Sequence, residues 1–207
     1  MTVNRIWGVG NWIGLLPFGL AVLSPPVFAQ IVPDNTLGTE NSQVTPNANV
    51  RGLPAERIDG GAVRGSALFH SFSEFNVNNG QRVYFSNPAG IADIFSRVTG
   101  SNVSNILGTL GVDGGANLFL LNPNGILFGP NAQLDIQGSF LATTGSSFKF
   151  SDGSEFSATN PQAAPLLSIN VTPGVQWGAN HPGATITNRG NLSIGEDLTL
   201  AALNLDL

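Results

Sequence analysis

Asn191-Leu192-Ser193-Ile194, Asp197-Leu198-Thr199-Leu200 and Asn204-Leu205-Asp206-Leu207 follow one another at the C-terminal end of the chain. Each unit is a polar turn former, a leucine, one polar residue, then isoleucine or leucine. The units begin 6 and 7 residues apart. In a strand, successive side chains point to opposite faces, so the two apolar residues of a unit share a face. The Asn or Asp at each start lets the chain bend before the next strand. Three such strands occupy about 20 residues, the length of one coil of a three-sided parallel β-helix. A hairpin meander is the alternative and would use two-residue Asn-Gly or Asp-Gly turns. The connections suit corners better than hairpins, and both architectures stay open at this point. A last coil ending on Leu207 exposes an apolar edge, so further coils are expected to follow it.

The same texture extends upstream to Ala62. Short runs such as Arg82-Val83-Tyr84-Phe85, Asn117-Leu118-Phe119-Leu120-Leu121, Gly125-Ile126-Leu127-Phe128 and Gln133-Leu134-Asp135-Ile136 are separated by Gly, Asn, Asp and Pro. This is an all-β signature. The best helical candidate is Ile91–Val98, on which Asp93 and Arg97 are spaced to pair. Residues 30–57 contain Pro33, Pro46 and Pro54 and read as a loosely structured lead-in that caps the rest. Two segments resemble each other 35 residues apart, Tyr84–Ile91 and Phe119–Ile126, an internal repeat that supports stacking of the two, and each ends in Asn-Pro-x-Gly-Ile. That ending predicts a type I turn, with Asn first, Pro second and Gly fourth. Alone, such a turn is usually a structural corner.

The N-terminus carries Arg5, an apolar run from Trp12 to Leu23, the break Ser24-Pro25-Pro26, and then Val27-Phe28-Ala29. This is the pattern of a secretory signal peptide, with cleavage expected between Ala29 and Gln30. The run is short and interrupted for a membrane span, which needs about 20 apolar residues, so no stable anchor is expected. The chain has no cysteine, which rules out disulfides and a lipid carried on cysteine. Charged residues make up 10% and the net charge is −5, without the Lys and Arg clusters of a nucleic-acid binder. Hydrophobic content of 42% is enough for a core despite 26 glycines. One domain is expected over residues 30–207.

Sites for chemistry are sparse. Asp113 precedes two glycines and reads as a turn; Asp135, between Leu134 and Ile136, is expected to face outward. Asp152 and Glu155 near Lys149 read as a solvated hairpin or corner. His70 and His181, the two histidines, lack the neighbours of a zinc site. His70 is expected to pack among Phe69, Phe72 and Phe75, whose helical-looking spacing is assigned to a β core or cap. No cofactor is expected. A polysaccharide-cleaving β-helix needs converging carboxylates, and a carbohydrate-binding module or adhesin needs an exposed aromatic platform. Trp177 is the one tryptophan after the signal.

Asn122-Pro123-Asn124-Gly125-Ile126, within Leu120-Leu121 and Leu127–Ala132, resembles the signature of the haemagglutination-activity, or two-partner-secretion (TPS), domain at the N-terminus of filamentous-haemagglutinin-like exoproteins. Gly65–Val77, Ile106–Val112, Gly138–Thr144 and the lead-in Ile31-Val32-Pro33-Asp34 are similar too, with a cyanobacterial-looking wording. The resemblance implies a right-handed parallel β-helix with an N-terminal cap. It also implies a non-enzymatic secretion-signal role: export through the Sec machinery, then recognition by an outer-membrane β-barrel with POTRA domains. Asn122, Pro123, Asn124, Gly125 and Ile126 would form the main recognition motif. Better-known members often carry a second Asn-Pro-Asn-Leu motif; here Asn87, Pro88, Gly90 and Ile91 stand in for it, in altered form. A chain threaded unfolded through a barrel gains from coils that fold outside, and the lack of cysteine leaves no disulfide to obstruct it.

Overall fold

A computed structural model describes residues 31–165, 173–178 and 183–207. The expected signal peptide and its Ala29–Gln30 junction lie outside the described residues, as does His181. Among the described residues the chain forms strands and no α-helix.

The lead-in and the residues that follow it make β1 (Ile31–Pro33), β2 (Ser42–Val50), β3 (Leu53–Gly60) and β4 (Ala62–Arg64). The first coil holds β5 (Ala67–Phe75) and β6 (Arg82–Ser86). The second holds β7 (Asp93–Val98), β8 (Ser104–Ile106) and β9 (Thr109–Asp113). The third holds β10 (Asn117–Leu121), β11 (Ile126–Phe128) and β12 (Gln133–Asp135). Then come β13 (Phe140–Thr143), an excursion with β14 (Ser147–Lys149), β15 (Glu155–Ser157) and β16 (Gly174–Gln176), and β17 (Thr185–Asn188). The chain closes with β18 (Leu198–Ala201) and β19 (Asn204–Asp206).

Strands from successive coils pair in parallel on three sides. Side one stacks β5, β7, β10, β13 and β18; side two stacks β8, β11, β17 and β19; side three stacks β3, β6, β9 and β12. Leu68, Ile94, Leu118 and Phe140 are in register, 26, 24 and 22 residues apart. This is the three-sided parallel β-helix. Its bore is filled by apolar columns from every side, among them Ile94, Leu118 and Phe140 from side one, Ile126 over Ile186 and Ile106 over Phe128 from side two, and Val83, Leu110 and Leu134 from side three. Inward and outward residues alternate as the strand period requires.

The C-terminal units separate onto different sides as expected: β18 lies on side one and β19 on side two. Leu192 and Ile194 also pack against the bore without forming a ladder strand.

Three expectations are overturned. The lead-in is ordered: β1 pairs antiparallel with β5, and β2 pairs antiparallel with β3. Its prolines misled because proline is compatible with edge strands and bulges. Pro46 sits where the β2 register slips, and β2 is an edge strand. These short strands cover edges that the parallel stack would otherwise leave open. Second, the helical candidate is strand β7, preceded by a turn. Ile94, Phe95 and Val98 are all buried because side one is covered on both faces. A strand buried on both faces loses its alternation and imitates a helix. Asp93 and Arg97 do not pair; Asp93 accepts a hydrogen bond from Asn117 Nδ2 at 2.9 Å. Third, the two Asn-Pro segments are not equivalent positions of successive coils. Tyr84-Phe85 lies on side three and Phe119-Leu120 on side one.

Outside side one, Phe69, Phe95 and Phe119 stack at 5.2 and 4.6 Å. Phe148, Phe150 and Phe156 of the β14–β15 hairpin meet this ladder edge-on, with Phe69–Phe156 at 4.8 Å and Phe95–Phe150 at 5.4 Å. Such pairs add about 0.5–1.5 kcal/mol each beyond area burial. The hairpin pairs Lys149 with Glu155, and Asp152 accepts from Ser154 N in its turn, as the solvated-hairpin reading expects. Phe72 and Phe75 instead enter the bore. A register shift where β5 meets β1 puts two residues three apart on one face.

A candidate recognition corner

The Asn122 corner joins β10 on side one to β11 on side two. Asn122 O accepts Gly125 N at 3.2 Å, closing the predicted four-residue turn, and Pro123 presets the φ of the second position. Gly125 has φ +127°, where an L side chain is strained, and an added Cβ would stand 3.0 Å from Thr185 O. Asn122 is fully buried with its amide saturated. Nδ2 donates to Asn102 O at 3.0 Å and to Ser104 Oγ at 2.9 Å; Oδ1 accepts Asn124 N at 3.0 Å and Asn124 Nδ2 at 3.0 Å. Asn124 Nδ2 also donates to Gly100 O at 2.7 Å. The corner is therefore clipped to the coil before it through residues 100–104. Pro123, Gly125 and Ile126 are buried as well, and Asn124 is half-buried.

Asn122→Ala orphans the Asn102 carbonyl and the Asn124 amide, at a cost of about 2–3 kcal/mol. Asn122→Asp is expected to cost more, because a carboxylate oxygen replaces the donor facing Asn102 O and Ser104 Oγ. Urea unfolding of the purified variants reads both as lower midpoints at an unchanged slope.

The Asn87 corner is built differently. Here Ile91 N donates to Pro88 O at 3.1 Å, one position later than the type I reading predicts. Gly90, with φ +87°, becomes the third residue, the placement a type II turn needs. Asn87 Nδ2 donates to Ile91 O at 3.0 Å, and Asn87 Oδ1 accepts Ala116 N at 3.1 Å. Pro88 and Gly90 are exposed, while Ile91 packs against the bore. This corner runs from side three to side one, so the two motifs lie at different corners. The partners of Asn122 and Asn124, from Gly100 to Ser104, went unnoticed in the sequence: contacts 18 to 24 residues apart leave no local signal.

The remaining polar groups sit elsewhere. Asp135 faces outward as expected and accepts from Arg51 at 2.6 Å and from Tyr84 Oη at 2.6 Å. Asp113 ends β9 and lies 3.8 Å from the same Arg51. Tyr84 itself is buried, with Arg51 and Arg82 over its ring, and a Cβ at Gly111 would run into that ring. These two carboxylates are thus ion-paired to a lead-in arginine. His70 is buried in the bore, with Nδ1 3.0 Å from Ser42 Oγ. Burial drives its pKa down to about 3, against a weaker upward pull from the Asp59 charge. Trp177 is 39% exposed. The described residues hold no cluster of three His, Cys, Asp or Glu suited to a metal ion, and no helix long and apolar enough to cross a membrane.

Known proteins share this architecture. The solved filamentous hemagglutinin secretion domain superposes with a TM-score of 0.57 at 22% identity, over 86% of this chain and 56% of that one. Over 69 residues the chain is 33% identical to the heme/hemopexin-binding protein of Haemophilus influenzae, spanning 33% of this chain and 7% of that protein. The family model of the TPS secretion domain matches residues 29–207, and the chain belongs to that family.

Proposed function

We propose that this TPS secretion domain addresses its exoprotein to a partner outer-membrane β-barrel carrying POTRA domains. Residues 1–29 act as a Sec signal removed between Ala29 and Gln30, and residues 30–207 form the domain that the partner reads. The protein passes the periplasm and ends secreted or on the cell surface, with no enzymatic step of its own. The family match over residues 29–207 carries this reading. Asn122-Pro123-Asn124-Gly125-Ile126 is the main recognition motif, with Asn87, Pro88, Gly90 and Ile91 as a secondary one. Because most of the main motif is buried once the corner closes, its side chains are read before closure, on the chain still open in the periplasm. The exposed Pro88 and Gly90 stay readable in the folded domain.

The test is secretion of the 207-residue chain from a Gram-negative host, with and without a cognate barrel. Release that depends on the barrel is expected. Asn122→Ala is expected to reduce release more than Arg97→Met, which destabilises the fold at least as much while leaving every motif side chain in place. Equal loss in the two variants would reduce the motif to a folding element, and release without the barrel would overturn the secretion-signal reading.

A further inference from the structure

Asn124-Gly125 is an Asn-Gly pair, the dipeptide in which the glycine amide most easily attacks the asparagine side chain, because no Cβ hinders the approach. In that reaction Gly125 N bonds to Asn124 Cγ and ammonia leaves, closing a succinimide. Water then opens the ring, leaving aspartate or isoaspartate at 124. The folded corner opposes each step. Gly125 N is committed to Asn122 O at 3.2 Å, and Asn124 Nδ2 is held by both Gly100 O and Asn122 Oδ1. Gly125 is buried, and its φ of +127° is fixed by the turn and by Ser104 N, which donates to Gly125 O at 3.1 Å. Attack thus requires the corner to open first.

The product does not fit the corner. An aspartate at 124 has acceptor oxygens only, and it would turn one of them toward Gly100 O and Asn122 Oδ1, two further acceptors. An isoaspartate lengthens the backbone within the four-residue turn. Conversion before folding therefore damages the clip between coils, and conversion after folding is suppressed.

We propose that Asn124 is a fold-protected deamidation site: in the open chain it converts spontaneously to a residue that cannot close the corner, so an unfolded chain loses folding competence with time. The second Asn-Gly pair, Asn79-Gly80, serves as an internal clock. It lies on an exposed turn closed by Gln81 N on Asn78 O, with Asn79 Oδ1 accepting from Asn131 Nδ2 at 3.1 Å.

The experiment incubates the full chain at mildly alkaline pH, native or in urea, and maps both sites by peptide mass and isoaspartate content. Asn79 conversion verifies that the conditions permit the reaction. The expected result is Asn124 conversion more than about tenfold slower in the native protein than in urea, as local opening must precede attack. In an Asn79→Gln chain, where the extra negative charge marks conversion at 124, converted chains are expected to refold with a lowered urea midpoint or not at all. Full-chain Asn124→Asp is expected to show the same defect. Equal Asn124 rates in the two states would overturn the protection, and refolding of converted chains with an unchanged midpoint would overturn the loss of competence.

Discussion

Replacing Arg97 with methionine lowers the stability of the domain by about 3–5 kcal/mol, the cost of breaking a buried charged network from one side. Arg97 is fully buried on the outer face of side one, beneath the excursion. Nε donates to Ser71 Oγ at 2.9 Å, Nη1 to Ser157 O at 2.9 Å, and Nη2 to Thr36 Oγ1 at 2.8 Å and Gln162 O at 2.7 Å. Its guanidinium also lies 4.2 Å from the Phe156 ring centroid. One side chain thus ties the lead-in, the first coil and the excursion together. Burial lowers its pKa to about 10, countered in part by the charge of Asp34, so it stays protonated at neutral pH. Asp34 completes the network. Burial raises its pKa, but hydrogen bonds from Thr36, Thr99 and Ser71 outweigh this, and the net shift is downward. Arg97→Lys is expected to recover little, because an ammonium cannot span partners set out for a planar fork. Chemical unfolding measures the loss, and hydrogen exchange should place it on β1, β5 and the β14–β15 hairpin together. Loss confined to the hairpin would show that the excursion docks independently.

Stability is expected to fall as the pH drops below about 6.5, and His70 accounts for a large share of the fall. In the unfolded chain a histidine titrates near pH 6.5; in the bore its pKa is pushed down to about 3. Between these values the unfolded state binds the proton and the folded state does not, so stability decreases with decreasing pH across that window. The slope approaches roughly 1.4 kcal/mol per pH unit from this group alone. The contribution is fully present above pH 6.5 and largely spent near pH 3. Cation formation has little to offset it: Phe72 and Phe85 flank the ring, Ser42 is its hydrogen-bond neighbour, and the distant Asp59 charge is the favourable influence. His70→Gln, which cannot titrate, should flatten the acid limb of a stability-versus-pH curve while costing stability at pH 7. An acid limb unchanged by that substitution would assign the pH dependence to the carboxylates.

The sequence by itself determined an all-β chain of short strands, the Asn122 turn and the motifs whose family resemblance implies the β-helix. Two apolar residues around one polar residue, repeated every six or seven positions, can bury only one face per strand, and stacking three such strands per coil is how the chain closes a core around them. Asn-Pro-Asn-Gly names its own turn because each residue meets a local demand of that turn. His70 among phenylalanines likewise read correctly as a packed residue. Only the tertiary structure decided the rest. Whether β7 is a helix or a strand depends on a cover supplied by Phe148, Phe150 and Phe156, roughly fifty residues downstream. Arg97, which looked like a surface partner of Asp93, is buried because that cover arrives with carbonyls to receive it. The two Asn-Pro segments match in letters yet occupy different corners, because 35 residues is not a whole number of these coils. Turn chemistry and face patterning act within a few residues and are written locally. Register, outer cover and coil-to-coil clips join residues about 20 to 65 apart, and the closed coil is what brings them together.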